Sequence, residues 1–141
     1  MSKPPKYQLL EHTADLRLKV KGRNLRLLFS NAALAMFDII AEEKKTGKAP
    51  SQKIKITQDA ADLEELFINW LNELLSLSSA KGLIFNSFNI LKLTPNSLEA
   101  IVCGRNISNY KVNVEVKAAT YHRLELERST SGWQAQLVFD V

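Results

Sequence analysis

From Leu16 to Lys21 apolar and polar residues alternate, with Leu16, Leu18 and Val20 on one side and Arg17, Lys19 and Lys21 on the other. A period of two belongs to a half-buried strand, and Asp15 falls in phase with its polar side. After the turn Lys21-Gly22-Arg23 the period lengthens. Leu25, Leu28, Phe29, Ala32, Ala33, Met36, Phe37 and Ile40 recur at three and four, which predicts a helix capped by Asn24. A polar loop around Gly47 and Pro50 leads to a short strand carrying Ile54 and Ile56. Asp62 followed by Glu65 is a capping-box spacing that opens a second helix, with Leu63, Leu66, Phe67, Trp70, Leu71, Leu74 and Leu75 as its apolar stripe and Gly82 at its end.

Beyond Gly82 the helical period disappears. Phe85 to Leu93, a turn at Thr94-Pro95-Asn96-Ser97, and Leu98 to Cys103 read as a hairpin. Val112 to Ala118 and Tyr121 to Arg128 alternate as further strands, and Ser129 to Gly132 turns the chain into a last strand from Trp133 to Asp140. Successive strands with short links favour antiparallel pairing. The expected fold is therefore α+β, a two-layer domain with a largely antiparallel or mixed sheet and two helices packed on one face.

Composition narrows this picture without redirecting it. With 141 residues and 45% hydrophobic content, one domain spanning 1–141 with a full core is expected. No apolar run approaches a membrane span, and Met1 to Lys6 lacks a secretory hydrophobic segment, so a cytoplasmic protein without membrane contact is expected. The single cysteine, Cys103, excludes a disulfide framework or cysteine zinc site and reads as a buried structural thiol. A net charge of +4 does not announce a nucleic-acid binder. The stripe Arg17, Lys19, Lys21, joined by Arg23 and Arg26, reads first as a solvated strand face and second as an anion or RNA surface.

The candidate chemistry lies at two places far apart in the chain. Asp140 ends the last strand beside Val141, whose terminal main-chain oxygens would place a second carboxylate next to the first. Asp15 opens the early strand. On the last strand Trp133, Ala135, Leu137 and Phe139 share one face, leaving Gln134, Gln136 and Asp140 on the other. Both aspartates therefore point away from the apolar faces. If the two strands meet, Asp15, Asp140 and Val141 form an oxygen-rich rim suited to a hard divalent cation such as calcium, magnesium or manganese. Taken singly, Asp15 reads as a turn residue and Asp140 as a solubilising strand end.

His12 and His122 are secondary candidates for ligation or proton transfer, with hydrogen bonds that hold strand ends as the plainer reading of each. Thr13 and Thr120 read as turn hydroxyls, because no Ser/His/Asp set or glycine-rich phosphate loop accompanies them. Trp70 and Trp133 fall in apolar stripes and read as core rather than base-stacking platforms.

Five stretches in order resemble the archease family. They are His12-Thr13-Ala14-Asp15; Leu28-Phe29 through Ala32-Ala33 to Ala35-Met36-Phe37; Trp70-Leu71-Asn72-Glu73-Leu74-Leu75; Val116-Lys117-Ala118-Ala119-Thr120-Tyr121-His122; and Val138-Phe139-Asp140-Val141. The resemblance implies an accessory protein of the tRNA-splicing RNA ligase RtcB, which joins a 2′,3′-cyclic or 3′-phosphate RNA end to a 5′-hydroxyl end through a guanylated histidine and divalent metals. It implies promotion of ligase guanylylation and of multiple turnover, with the RNA met indirectly through the ligase. It also implies metal binding by Asp15, Asp140 and the main-chain oxygens of Val141, and an α+β fold related to strand-helix-strand-strand modules. The chain departs from the family pattern at Gly104-Arg105, where an acidic residue commonly follows the glycine, and in the short link Asn106 to Tyr110.

Two other function classes share these residues. A metal-dependent hydrolase or nuclease would use the same carboxylates and needs a further nucleophile or base, which the sequence does not offer. A small RNA-binding module would use the Arg17-Lys19-Lys21 stripe and bind with strong salt dependence in the absence of a ligase.

Overall fold

The computed structural model describes residues 6–10, 15–44 and 50–141. The chain runs β1 (Tyr7–Leu10), β2 (Asp15–Gly22), α1 (Leu25–Ile40), β3 (Ala41–Glu43), β4 (Gln52–Asp59), α2 (Leu63–Lys81), β5 (Leu83–Thr94) and β6 (Ser97–Asn106). After a single 3-10 turn at Ile107–Asn109 come β7 (Tyr110–Val112), β8 (Ala118–Ser129) and β9 (Gly132–Asp140). The α+β expectation holds, and every strand pair is antiparallel.

The strands divide into a four-stranded sheet β1-β2-β9-β8, a three-stranded sheet β4-β6-β5 and a two-stranded ribbon β3-β7. Each helix lies against strands of both larger sheets: α1 contacts β2 and β5, while α2 contacts β8, β5 and β4. The core forms where these layers meet. Phe29 and Phe67 join the helices edge to face at 5.1 Å, and Phe37 meets Phe85 at 5.6 Å. Trp70 is 0% exposed and its indole N–H donates to the Phe29 carbonyl at 3.0 Å, so its reading as core holds. No helix among the described residues is long and apolar enough to cross a membrane.

Local chemistry sets both helices. Asn24 accepts from the Leu27 N–H at 2.9 Å, and Asp62 accepts from the Glu65 N–H at 2.8 Å while Glu65 reaches back to the Ala61 N–H. Gly82 ends α2 in the left-handed region at φ 63. The hairpin β5–β6 turns where Thr94 and Ser97 face each other at 2.9 Å.

Three expectations need correction. The segment 113–117 is not a strand, although Val114 and Val116 still turn inward. Its backbone is engaged elsewhere: the N–H groups of Asn113 and Val114 both donate to the Ile40 carbonyl, and that of Lys117 donates to Asp140. Cys103 is half-exposed rather than buried, because Leu98, Ala100 and Val102 take the inward face of β6. Trp133 is only partly core, since it is half-buried and also lines a cavity at the sheet end.

Candidate functional site

In the β2–β9 ladder Asp15 stands directly opposite Asp140. Residues directly opposite across an antiparallel pair project to the same face, about 4.5–5.5 Å apart at Cα. The register follows from the apolar side: Leu16 faces Phe139, Leu18 faces Leu137 and Val20 faces Ala135, all six buried. A slip of one residue would turn that whole set to solvent. The packing of the inner face therefore fixes the meeting of the carboxylates on the outer one.

Asp15 is half-buried and Asp140 exposed. Like charges placed directly opposite destabilise a sheet. Among the described residues neither carboxylate takes part in an ion pair; the two pairs found are Arg105–Glu43 at 2.8 Å and Lys111–Glu42 at 3.8 Å. Arg105, where the sequence departs from the pattern it resembles, thus serves the ribbon strand β3 and not the aspartates. An all-oxygen pair open on one side, with Val141 next in the chain, suits a hard cation that keeps water in its remaining positions. Among the described residues no three His, Cys, Asp or Glu side chains gather around a metal-sized space.

Asp140 is held from its other side by β8, where Ala118 pairs with it and the Lys117 N–H donates to its carbonyl at 2.8 Å. The start of β8 is fastened in turn by Asn72 of α2. The Asn72 amide donates to the Ala119 carbonyl at 3.0 Å and its oxygen accepts from the Ala119 N–H at 2.8 Å. One side chain thereby takes the place of a further strand along the free edge of β8. Thr120, read from the sequence as a turn hydroxyl, lies instead within β8 opposite Val138, where its hydroxyl donates to the Val138 carbonyl at 2.8 Å. Asn72 escaped sequence reasoning as a functional residue. Its signal was a poor helix former between Leu71 and Leu74 in an otherwise well-formed helix.

His122 occupies a different place. Between Thr120, opposite Val138, and Glu125, opposite Gln136, the four residues 121–124 of β8 face the single Leu137. The extra residues bulge outward, with Arg123 at φ 54 and His122 exposed. Tyr121 in the same bulge lies toward the start of α2, where partial burial and then the carboxylates of Glu65, Asp62 and Glu64 push its hydroxyl up. His12 and Thr13 lie outside the described residues.

Comparison with known proteins agrees with this architecture. Residues 7–141 match the model of the Archease protein family (MTH1598/TM1083). The chain is 36% identical to the protein archease of Methanosarcina acetivorans, covering 99% of each. It is 34% identical to that of Thermococcus kodakarensis over 96% of this chain and 99% of the relative. Its fold resembles the solution structure of protein 1598 from Methanobacterium thermoautotrophicum, with a TM-score of 0.72 at 26% identity, covering 96% of this chain and 99% of that one. It also resembles the crystal structure of a Thermotoga maritima archease described as a possible chaperone, with a TM-score of 0.65 at 23% identity and coverage of 100% and 98%.

Proposed function

The chain belongs to the archease family, and from that premise we propose that it is a metal-binding accessory factor of an RtcB-type RNA ligase, not an enzyme in its own right. The observation that carries this reading is the Asp15–Asp140 register pair, uncompensated by any described cation and open to a partner. Asp15, Asp140 and the main-chain oxygen of Val141 would hold a calcium, magnesium or manganese ion. Such an ion supplies positive charge for the phosphate and carboxylate oxygens of a neighbouring active site.

The chain's own part is positional. The buried Leu16–Phe139 and Leu18–Leu137 pairs hold the two carboxylates in register, and Asn72 fixes β8, which fixes Asp140. Because both donors sit on an outward face, they can approach the catalytic centre of a docked ligase and promote its guanylylation and repeated turnover. The cytoplasm, where such a ligase works, is the place this reading assigns to it.

A ligation assay tests the proposal. Adding the protein to a cognate RtcB-type ligase raises ligase guanylylation and the number of joined ends per ligase, Asp15→Ala removes the effect, and the protein alone joins and cleaves nothing. Metal-dependent cleavage of RNA by the isolated protein that is lost with Asp15→Ala would replace the accessory reading with a nuclease.

A further inference from the structure

The opposite end of the β2–β9 ladder, where Gly22 faces Trp133, carries a second feature of different chemistry. Clefts of about 300–1,000 Å³ hold small ligands; this one measures about 640 Å³ and is lined by Lys6, Lys21, Arg23, Ser129, Ser131 and Trp133 among others. We infer that it is a binding site for a phosphorylated nucleoside, with the base against the Trp133 indole and the phosphate among Lys6, Lys21 and Arg23.

Four observations converge on that ligand. Three cations line one cavity, Lys6 from ahead of β1 and Lys21 and Arg23 from the end of β2 and the turn after it, and among the described residues the two ion pairs lie elsewhere. Trp133 packs partly on the core while lining the cavity, so the indole is already fixed as a platform and little side-chain entropy is lost on stacking. The first turn of α1, which begins beside Arg23, contains no acidic residue, so the positive end of its dipole adds to the cations.

The frame of the cavity is also rigid. A Cβ at Gly22 would run into the Leu28 backbone, and one at Gly132 would lie 2.5 Å from the Gly22 carbonyl oxygen. Asn31 donates to the Lys21 carbonyl at 2.8 Å, and the Lys21 N–H donates to Lys6 at 3.2 Å. Ser129 and Ser131 add hydroxyls able to bond ribose or phosphate oxygens. An acidic peptide would satisfy the cations but leave the indole unused, and a nucleoside without phosphate would do the reverse.

Trp133 supplies its own readout, because Trp70 is fully buried and contributes only a constant emission. The full chain is titrated in EDTA, which removes any metal held by the aspartates, with adenosine 5′-monophosphate, adenosine, inorganic phosphate, a 5′-phosphorylated oligouridylate and an oligoglutamate. The nucleotide or the oligonucleotide quenches the emission, adenosine and phosphate bind at least about tenfold more weakly, and Lys21→Glu with Arg23→Glu weakens binding by about tenfold or more. Trp133→Phe, which keeps an aromatic ring on the core but lacks the reporting indole and is therefore titrated by calorimetry, lowers affinity severalfold while the cooperative melt persists. Quenching by the oligonucleotide alone identifies an RNA strand as the source of the nucleotide; quenching by both shows that a free nucleotide suffices. No quenching by either, equal competition by oligoglutamate, or unchanged affinity in the charge-reversed variant overturns the inference.

Discussion

Asp15 and Asp140 face each other because six buried side chains on the reverse of the same strands leave them no other register. Two carboxylates so placed repel, and a cation relieves the repulsion. Asp15→Asn or Asp140→Asn is therefore expected to stabilise the metal-free protein slightly, by up to about 1 kcal/mol, and, if the proposed metal site holds, to abolish the rise in Tm expected of the unaltered chain in calcium. Melts in EDTA and in calcium check both parts, and a calcium response surviving in either variant removes that residue from the site. Asp38 shows a different residue-scale effect: desolvation holds its carboxyl above the usual carboxylate range. A raised folded-state value means that stability is fully present below the unfolded value of 3.8 and falls as pH rises through the folded one. Asp38 is exposed on α1, so solvent screens most of this effect; Asp38→Asn should accordingly raise Tm only slightly at neutral pH, and the gain should vanish in acid. The polar phase of both aspartates was legible in the sequence, since alternation reports which way a side chain points. The surroundings of Cys103 and Trp133 were not, because a residue at the margin of an apolar run meets neighbours that only tertiary contact supplies.

At the scale of elements, both long helices were legible almost to their ends because capping chemistry is local: Asn24, Asp62 and Gly82 act on groups within a few positions of themselves. Gly82 tests this directly. An added Cβ there meets nothing within 4 Å, so Gly82→Ala should cost only the left-handed backbone penalty, about 1 kcal/mol. Gly22→Ala should cost more, since its Cβ collides with the backbone of α1. Chemical denaturation of the two variants gives the comparison, and equal losses would refute the distinction between conformation and contact. The segment 113–117 and the bulge 121–124 were not legible, for a related reason. Their alternation reports burial of Val114, Val116, Leu124 and Leu126, whereas ladder pairing depends on which distant carbonyls claim the backbone. Asn72 joins the two scales. Asn72→Ala leaves both polar groups of Ala119 without their side-chain partner and should cost about 1–3 kcal/mol. If Asn72 also positions Asp140, Asn72→Ala weakens calcium binding at temperatures where the fold is intact, an effect that loss of stability alone does not produce.

At the scale of the whole molecule, β2 carries opposite chemistry at its two ends: the aspartate pair at Asp15 and the cationic cavity at Gly22. The division into two larger sheets and a ribbon could not be read from strand patterns, because alternation leaves open which strands pair, whereas the partition goes with helices that pack against strands of both larger sheets. That partition places both sites on one continuous strand. Asp15 and Gly22 bound an eight-residue strand, and seven steps of strand rise separate them by roughly 23 Å. At physiological salt the screening length is about 8 Å, and groups so far apart with no shared partner contribute independently. Lys21→Glu with Arg23→Glu is therefore expected to leave calcium affinity within about twofold at physiological salt. In dilute buffer, where the screening length grows to about 30 Å, the same change should strengthen calcium binding, because the far end of β2 and the turn after it then carry four fewer units of positive charge relative to the original. Calorimetric calcium titrations at the two salt concentrations measure this. A large change persisting at physiological salt would mean that the two ends are linked through the fold itself, by a second arrangement of β2 against β9, rather than through the field of their charges.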